Sequence, residues 1–140
     1  MPIAVYWEDE TKQVIRWKFD GKWTWEDVYK ASRDAIDLRA GMTEPVVVYV
    51  DQRNAANLVP SGAVHHLSNL IHMGRESRRL LVIISPFEFY LQLAKIVLSV
   101  YREIGRKIFV VRTFEEAEQL VEPFRIHPAV PEPRPIEDNV

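Results

Sequence analysis

Two short apolar runs, VVVYV at 46–50 and LLVII at 80–84, constrain the fold of this chain most strongly. An apolar run of about five residues without polar alternation is typical of a strand that is covered on both faces. Each run is followed by a segment with helical signals, and a third apolar strand is predicted from Ile108 to Val111. Strands that alternate with helices in this way indicate right-handed crossovers and a parallel core sheet.

The N-terminal residues add a second kind of strand pairing. Ile3 to Trp7 and Val14 to Phe19 are short and rich in β-branched and aromatic residues, and they flank the polar stretch from Glu8 to Gln13. This pattern predicts an antiparallel hairpin, which Asp20-Gly21 is expected to end. The predicted fold class is therefore α/β, with a mixed sheet that combines this hairpin and parallel βαβ units.

Hydroxyl and acidic residues mark the starts of two helices. Thr24 and Thr113 are each followed three residues later by an acidic residue, which is the spacing of a capping box. The pattern predicts one helix that begins at Trp25 and stops at Gly41, and a short final helix that ends near Val121.

Two further helices are predicted between these. A loop from Asp51 to Pro60 leads to Ser61-Gly62, where the serine is expected to open a helix that ends at Gly74. Ser85-Pro86-Phe87-Glu88 combines an N-cap, a proline at the first helical position and an acid, and it predicts a third helix to about Arg102. The resulting order is β-β-α-β-α-β-α-β-α.

The chain has the size and composition of one globular domain, with 140 residues, 47% hydrophobic and 27% charged. We expect this domain to span residues 1–122. The remaining segment, 123–140, holds five of the nine prolines and shows no periodicity. It is expected to be an extended or disordered tail.

The composition argues against several classes of protein. A formal net charge of −2 lacks the basic excess that a nucleic-acid binder needs. The absence of cysteine excludes disulfides and thiolate metal sites, and we expect no cofactor. The longest apolar stretch, 87–104, is interrupted by charged residues and predicts no membrane span. No signal-peptide pattern is visible, so we expect a cytoplasmic protein.

In an open α/β sheet, ligands and partners usually meet the carboxyl ends of the parallel strands. The predicted partner-binding edge consists of Asp51, Arg53, Asn54, Ser61, Gly62, Ser85 and Arg112. Ser61 is the phosphorylation candidate, because a phosphate at a helix start faces free backbone N–H groups and the positive end of the helix dipole. In the alternative interpretation, the hydroxyl of Ser61 only caps the helix.

The sequence around Ser61 resembles a motif of bacterial regulators. The strand VVVYV ends at Asp51, and Val59-Pro60-Ser61-Gly62 leads into the next helix. In the STAS domains of anti-sigma-factor antagonists, also called SpoIIAA-like, the strand ends in Asp or Asn and Asp-Ser-Ser-Gly opens the helix. The resemblance covers residues 1–122, mainly as a pattern of elements. Ser61 falls on the serine that the family phosphorylates.

The resemblance implies a non-catalytic regulatory module of a bacterial cytoplasm, with a protein partner such as a kinase or an anti-sigma-type regulator. Two positions depart from the motif, since the family's acid is Val59 here and its first serine is Pro60. Trp23-Thr24-Trp25 and the hairpin resemble the SpoIIAA-like branch more than the phosphorylated antagonists. The phospho-switch at Ser61 is therefore a hypothesis separate from the fold.

The predicted third helix is apolar around most of its circumference, whereas a helix on a sheet needs one apolar stripe. We expect the surplus surface to form a homodimer interface or an apolar ligand groove, through Phe87, Tyr90, Leu91, Ala94, Leu98 and Tyr101. It is equally open that residues 124–130 cover this surface. The alternative function is thus a carrier of a lipid or other apolar small molecule in a cavity between sheet and helix.

Metal-binding and catalytic interpretations are weaker. His65 and His72 can share a helix face, but no carboxylate stands at a ligand-like spacing, so no metal site is predicted. Ser61, a histidine and Asp51 would have to form a triad without the G-x-S-x-G elbow, which is absent. A small hydrolase is the least favoured alternative, and we predict that the chain is not an enzyme.

Overall fold

The computed structural model describes residues 2–56, 59–73, 78–88, 91–92, 95–96, 99 and 107–126. Its strands are β1 (Ile3–Trp7), β2 (Val14–Gly21), β3 (Val46–Ala55), β4 (Arg78–Ile84) and β5 (Ile108–Val111). Its helices are α1 (Trp25–Leu38), α2 (Ala63–His72) and α3 (Phe114–Val121), followed by a 3₁₀ turn (Glu122–Phe124). Residues 88, 91–92, 95–96 and 99 are also helical.

The five strands form one mixed sheet in the order β1-β2-β3-β4-β5. β1 pairs antiparallel with β2, and β3, β4 and β5 each extend the sheet in parallel. The predicted α/β fold class, with its N-terminal hairpin and parallel core, is confirmed. Because each parallel step needs a crossover, the helices lie over the sheet and its buried runs become the core.

The two faces of the sheet carry different layers, because side chains alternate along a strand. Tyr49 of β3 shares a core cluster with Val121 of α3, and we call this side the α3 face. Its neighbour Val48 shares a cluster with Ala35 of α1. α2 packs beside α1, so we call this second side the α1/α2 face.

The predicted helix starts at Thr24 and Thr113 are confirmed. Thr24 accepts a hydrogen bond from the backbone N–H of Asp27, whose carboxylate accepts one from the backbone N–H of Thr24, completing a capping box. Thr113 caps α3 by accepting from the backbone N–H of Glu116 at 3.1 Å. Each cap satisfies N–H groups that have no partner within the helix.

Three element boundaries differ from the prediction. β3 continues to Ala55, so the first half of the loop predicted from Asp51 to Pro60 is strand. The reason is that β2 also continues past its predicted break to Gly21, and these additional residues pair with the end of β3. β4 begins at Arg78 rather than Leu80, since it pairs with the start of β3. α1 ends at Leu38, and Gly41 adopts a left-handed conformation (φ 85°) in the turn beyond it.

Some predictions fall on residues outside the described part of the chain. These are the helix stops at Gly74 and Gly105, the end of the third predicted helix (85–102, distinct from α3), its side chains Tyr90, Ala94, Leu98 and Tyr101, and the tail from residue 127 onward. The first tail residues are described, and Gln13 holds the backbone of Ile126 through its side-chain amide. Within the described residues, no helix is long and apolar enough to cross a membrane.

Candidate functional site

The predicted partner-binding edge divides into buried and exposed residues. Asp51 is only 2% exposed and Ser85 is fully buried, with its hydroxyl accepting from the backbone N–H of Phe87. The exposed members of the set are Arg53, Asn54, Ser61, Gly62 and Arg112. Contact with a partner at this edge would therefore fall to the exposed members, whereas Asp51 and Ser85 hold the local structure.

Asp51 is the anchor of a charged cluster on the α3 face. Its two carboxylate oxygens accept from Nε and Nη2 of Arg53 at 2.9 and 2.7 Å, and Arg16 lies 3.6 Å away. Burial favours a raised pKa for Asp51, but the hydrogen bonds from Arg53 and the charges of both arginines outweigh burial. The pKa of Asp51 is therefore below its usual value.

The ring of Phe114, the first residue of α3, lies close to the guanidinium groups of the same two arginines. The guanidinium carbon of Arg16 is 4.6 Å from the ring centroid and that of Arg53 is 5.2 Å from it. Arg16 also donates to Glu8 at 2.5 Å. Stacking of guanidinium on the ring leaves the N–H groups free for carboxylates, so this cluster fastens α3 to β2 and β3.

Ser61 does not cap α2 as predicted. The N-cap is Gly62, in a left-handed conformation (φ 83°), and no side chain caps this helix. The cause is the backbone, since a positive φ suits glycine and moves the serine outside the helix. Ser61 is exposed, while its carbonyl and that of Pro60 both accept from the indole N–H of Trp25, at 2.9 and 3.1 Å.

A polar and aromatic network adjoins Ser61 where α1 meets α2. The ring of His66 stacks on Trp25 with centroids 5.1 Å apart, and its Nδ1 is 2.9 Å from the hydroxyl of Tyr29. Asn69 donates to that hydroxyl and lies 3.3 Å from Nε2 of His65. The network fixes α2, and with it Ser61, to α1.

A cavity of about 150 Å³ lies between the α1/α2 face of the sheet and the two helices. Small side chains of α1, such as Ser32 and Ala35, leave room above Val48 of β3. The sequence predicted an apolar cavity between the sheet and the third predicted helix (85–102), and most side chains of that helix lie outside the described residues. None of the described residues in the range 85–99 lines the cavity, although Phe87 packs against the core cluster of Trp23, Trp25 and Val28, which do line it.

Side chains with polar atoms also line this cavity. Gln52 is 7% exposed and Trp23 is 6% exposed, and both line it together with Trp17. The Oε1 atom of Gln52 and the indole Nε1 atoms of both tryptophans are buried without a hydrogen-bond partner among the described residues. Buried polar atoms normally have partners, so these three atoms are exceptions in the core beside the cavity.

Comparison with known proteins gives a structural match. No protein-family model and no curated protein matches this chain. A protein from Shewanella loihica PV-4, described as an uncharacterized member of the DUF3478 family with a SpoIIAA-like fold, matches 88% of this chain and 94% of its own. The TM-score is 0.58 and the sequence identity is 17%. This chain has a SpoIIAA-like fold.

The SpoIIAA-like fold confirms the resemblance drawn from the sequence. In this chain Ser61 lies in the connection between β3 and α2, immediately before Gly62 at the start of α2. At this identity the match concerns the fold alone. The site must be argued from the residues of this chain.

Sequence reasoning missed several residues on both faces of the SpoIIAA-like fold. Arg16 and Phe114 were missed because their partners lie far along the chain. The i, i+2 spacing of Asp51 and Arg53 was a usable signal, since such residues share one face of a strand. Gln52 between them points to the opposite face, where a polar residue within a strand of valines could have drawn attention.

Proposed function

We propose that the chain is a non-catalytic STAS-type interaction module that presents Ser61 to a protein partner at the carboxyl edge of the sheet. The observation that carries this proposal is the combination of an exposed Ser61 and a fixed backbone. The indole N–H of Trp25 donates to the carbonyls of Pro60 and Ser61, which belong to the two peptide links that flank Ser61, so the serine stands in a defined place in front of α2.

A phosphate on Ser61 would meet favourable electrostatics. Because no side chain caps α2, its first N–H groups and the positive end of its dipole remain open to an anion. Arg53 and Asn54 are exposed at the end of β3, on the same edge. The added charge of about −2 would change how this surface attracts or repels a partner.

The geometry does not favour a hydrolase triad. The carboxylate of Asp51 accepts hydrogen bonds from Arg53 and forms an ion pair with Arg16 on the α3 face. His66 pairs with Tyr29 on the α1/α2 face, so the acid and the base are on opposite sides of the sheet. Among the described residues, no three histidine or acidic side chains form a group that could hold a metal.

The test is capture of partners from an extract of the native cell by the immobilised chain. Three baits are compared: the parent, Ser61→Glu, and Ser61→Gln as a control of equal size without charge. We expect at least one protein to be captured equally by the parent and Ser61→Gln and at least fivefold differently by Ser61→Glu. Equal capture of every protein by all three baits would contradict the proposal that phosphorylation of Ser61 switches partner binding.

A second candidate function, carriage of an apolar small molecule, is favoured by the cavity on the α1/α2 face. Its described lining is dominated by aliphatic and aromatic side chains, including Ile15, Trp17, Phe19, Val48, Leu67 and Leu81. An apolar cavity of this volume can hold a molecule the size of benzene. Native mass spectrometry of freshly purified protein tests this function through the mass of any retained ligand.

A further inference from the structure

Trp25 belongs to both candidate sites of this fold. Its side chain lines the cavity on the α1/α2 face. The indole N–H of the same side chain donates to the carbonyls of Ser61 and Pro60, at 2.9 and 3.1 Å. One side chain therefore contacts the cavity and holds the backbone that presents Ser61, so a change in the surroundings of this ring can reach the serine directly.

α2 is the second element that the two sites share. Leu67, Leu70 and Ile71 of this helix line the cavity, and Ser61 directly precedes its N-cap, Gly62. Of the ten residues of α2, only Ile71 is buried. Most of the stability of a protein helix comes from the packing of its apolar face, and a segment with few buried contacts opens more readily than the rest of a fold. We therefore expect contacts with a ligand in the cavity to affect how firmly α2 is held.

The start of α2 is packed closely against Trp25. The ring of His66 stacks on Trp25 with centroids 5.1 Å apart. A methyl group on Gly62 would come within 3.2 Å of Cδ2 of His66, so the N-cap backbone lies close to this imidazole. Because close-packed groups transmit displacements to one another, the position of the Trp25 ring and that of the helix start depend on each other.

The cavity wall sets the chemical class of the ligand. Its volume of about 150 Å³ is that of a cavity that accepts benzene, and its lining is mainly aliphatic and aromatic. The unpartnered indole nitrogens of Trp17 and Trp23 and the Oε1 atom of Gln52 each expose less than 1 Å². The indole N–H of Trp25 is already bonded to two carbonyls. These atoms offer a ligand no hydrogen bond, so the class that fits is an uncharged single-ring molecule without hydrogen-bonding groups.

We propose that an uncharged apolar molecule in this cavity controls how firmly α2 and Ser61 are held, through the side chain of Trp25. The inference rests on the second candidate function, binding of a small apolar molecule, and adds a regulatory role for that molecule at the Ser61 surface. The ligand contacts Trp25 and the leucines of α2 together only while α2 is in place. It therefore favours that arrangement, and local opening falls by a factor that grows with the ratio of free ligand to its Kd.

The experiment measures hydrogen exchange in the full chain by ¹H–¹⁵N NMR, with toluene as the probe. Saturable shifts of the Leu67 and Leu70 signals give its Kd. Two N–H groups report the link: the indole of Trp25, assigned with Trp25→Phe, and the backbone of His66, which donates to the carbonyl of Gly62 at 3.0 Å. At a toluene concentration about ten times the Kd, we expect both groups to exchange about tenfold more slowly.

The control group lies on the other face of the sheet. The backbone N–H of Ala117 in α3 donates to the carbonyl of Thr113 at 3.3 Å, and its exchange should change by less than about twofold. Benzoate is the control probe, because it has the same ring and would pair with Arg39 and Arg78 of the lining if either accepted an anion. Both arginines already donate to backbone carbonyls, so we expect benzoate to change none of these rates.

Ala35→Leu supplies the matched variant, because Ala35 is one of the small residues that leave room in the cavity. Leucine at this position should fill that room, so toluene should no longer shift the lining signals or slow either reporter. Ala4→Leu, the same change at an exposed position of β1, should leave the response of the parent intact. If Ala35→Leu does not fold, the comparison of toluene with benzoate in the parent still decides.

Each failure has its own meaning. If toluene shifts no lining signal, the carrier function and this inference both fail. If toluene binds but the Trp25 and His66 groups exchange as before, the carrier function stands and the link to Ser61 is overturned. Equal slowing at Ala117 would mean that the ligand stabilises the whole fold, which also overturns the link. If benzoate acts like toluene, the ligand class is wrong.

Discussion

The carboxylate of Asp51 and the guanidinium of Arg53, two residues apart on β3, are joined by two hydrogen bonds of 2.9 and 2.7 Å. The backbone N–H of Arg53 donates to the same carboxylate at 3.2 Å. A nearly buried acid thus holds the final residues of a strand that ends at the exposed edge of the sheet. The stability of this edge should depend on the charge of Asp51.

Asp51→Asn should destabilise the protein by roughly 1–3 kcal/mol, because charge-assisted hydrogen bonds are lost while Arg16 stays close by with little access to water. Urea denaturation followed by circular dichroism measures the change. Asp34→Asn is the control. Asp34 pairs with Lys30 on the exposed surface of α1, so this change should lower the free energy of unfolding by less than about 0.5 kcal/mol.

The same aspartate gives a prediction about pH. The pKa of Asp51 is lower in the folded protein than in the unfolded chain, where it is near 3.9. The contribution of the ionised carboxylate to stability is therefore complete above the unfolded pKa and is lost as the pH falls through the folded pKa. Between about pH 6 and pH 3 the parent should lose more stability than Asp51→Asn. Parallel acid-induced losses in both proteins would contradict the role given to this carboxylate.

The helix caps differ in a way that mutation can separate. Thr24→Ala should destabilise the protein by about 1 kcal/mol, because the capping box of α1 loses its hydroxyl. Ser61→Ala should change stability by less than about 0.5 kcal/mol, since α2 is capped by Gly62 without a side-chain bond. Chemical denaturation measures both changes. If Ser61→Ala lowered the free energy of unfolding by about 1 kcal/mol, Ser61 would cap α2 as the sequence predicted.

Local signals predicted local structure well in this chain. The capping residues Thr24 and Thr113 and the apolar run 46–50 act through neighbours in the sequence, and their elements were found as expected. Gly62 replaced Ser61 as the cap because a serine and a glycine in succession offer two helix starts, and the backbone conformation decides between them. The cavity depends on how Ala35 and Val48 meet across the fold, which the sequence does not show.

Gln52→Leu should stabilise the ligand-free protein by about 1 kcal/mol. A buried amide oxygen with no partner among the described residues carries a desolvation cost, and leucine removes it while filling similar space. Thermal melting in ligand-free buffer measures the effect as a higher Tm. A lower Tm for Gln52→Leu would show that the amide forms an internal bond essential to the fold.

Tyr49 should remain un-ionised at high pH. Burial raises the pKa of this tyrosine above its usual value, and the negative charge of Glu118 adds to the rise. Its contribution to stability is complete below the unfolded pKa near 10 and is lost as the pH rises through the folded pKa. In an ultraviolet titration, the signal removed by Tyr49→Phe should be absent until the protein unfolds; a normal titration near pH 10 would oppose its burial.

The central claim is that a protein partner meets the exposed residues between the end of β3 and the start of α2. Hydrogen–deuterium exchange of the chain, alone and with the partner captured through the Ser61 baits, tests it most directly. We predict that the partner slows exchange in peptides that cover residues 53–66 and leaves the hairpin of β1 and β2 unchanged. Slower exchange in the hairpin, with residues 53–66 unchanged, would contradict the claim.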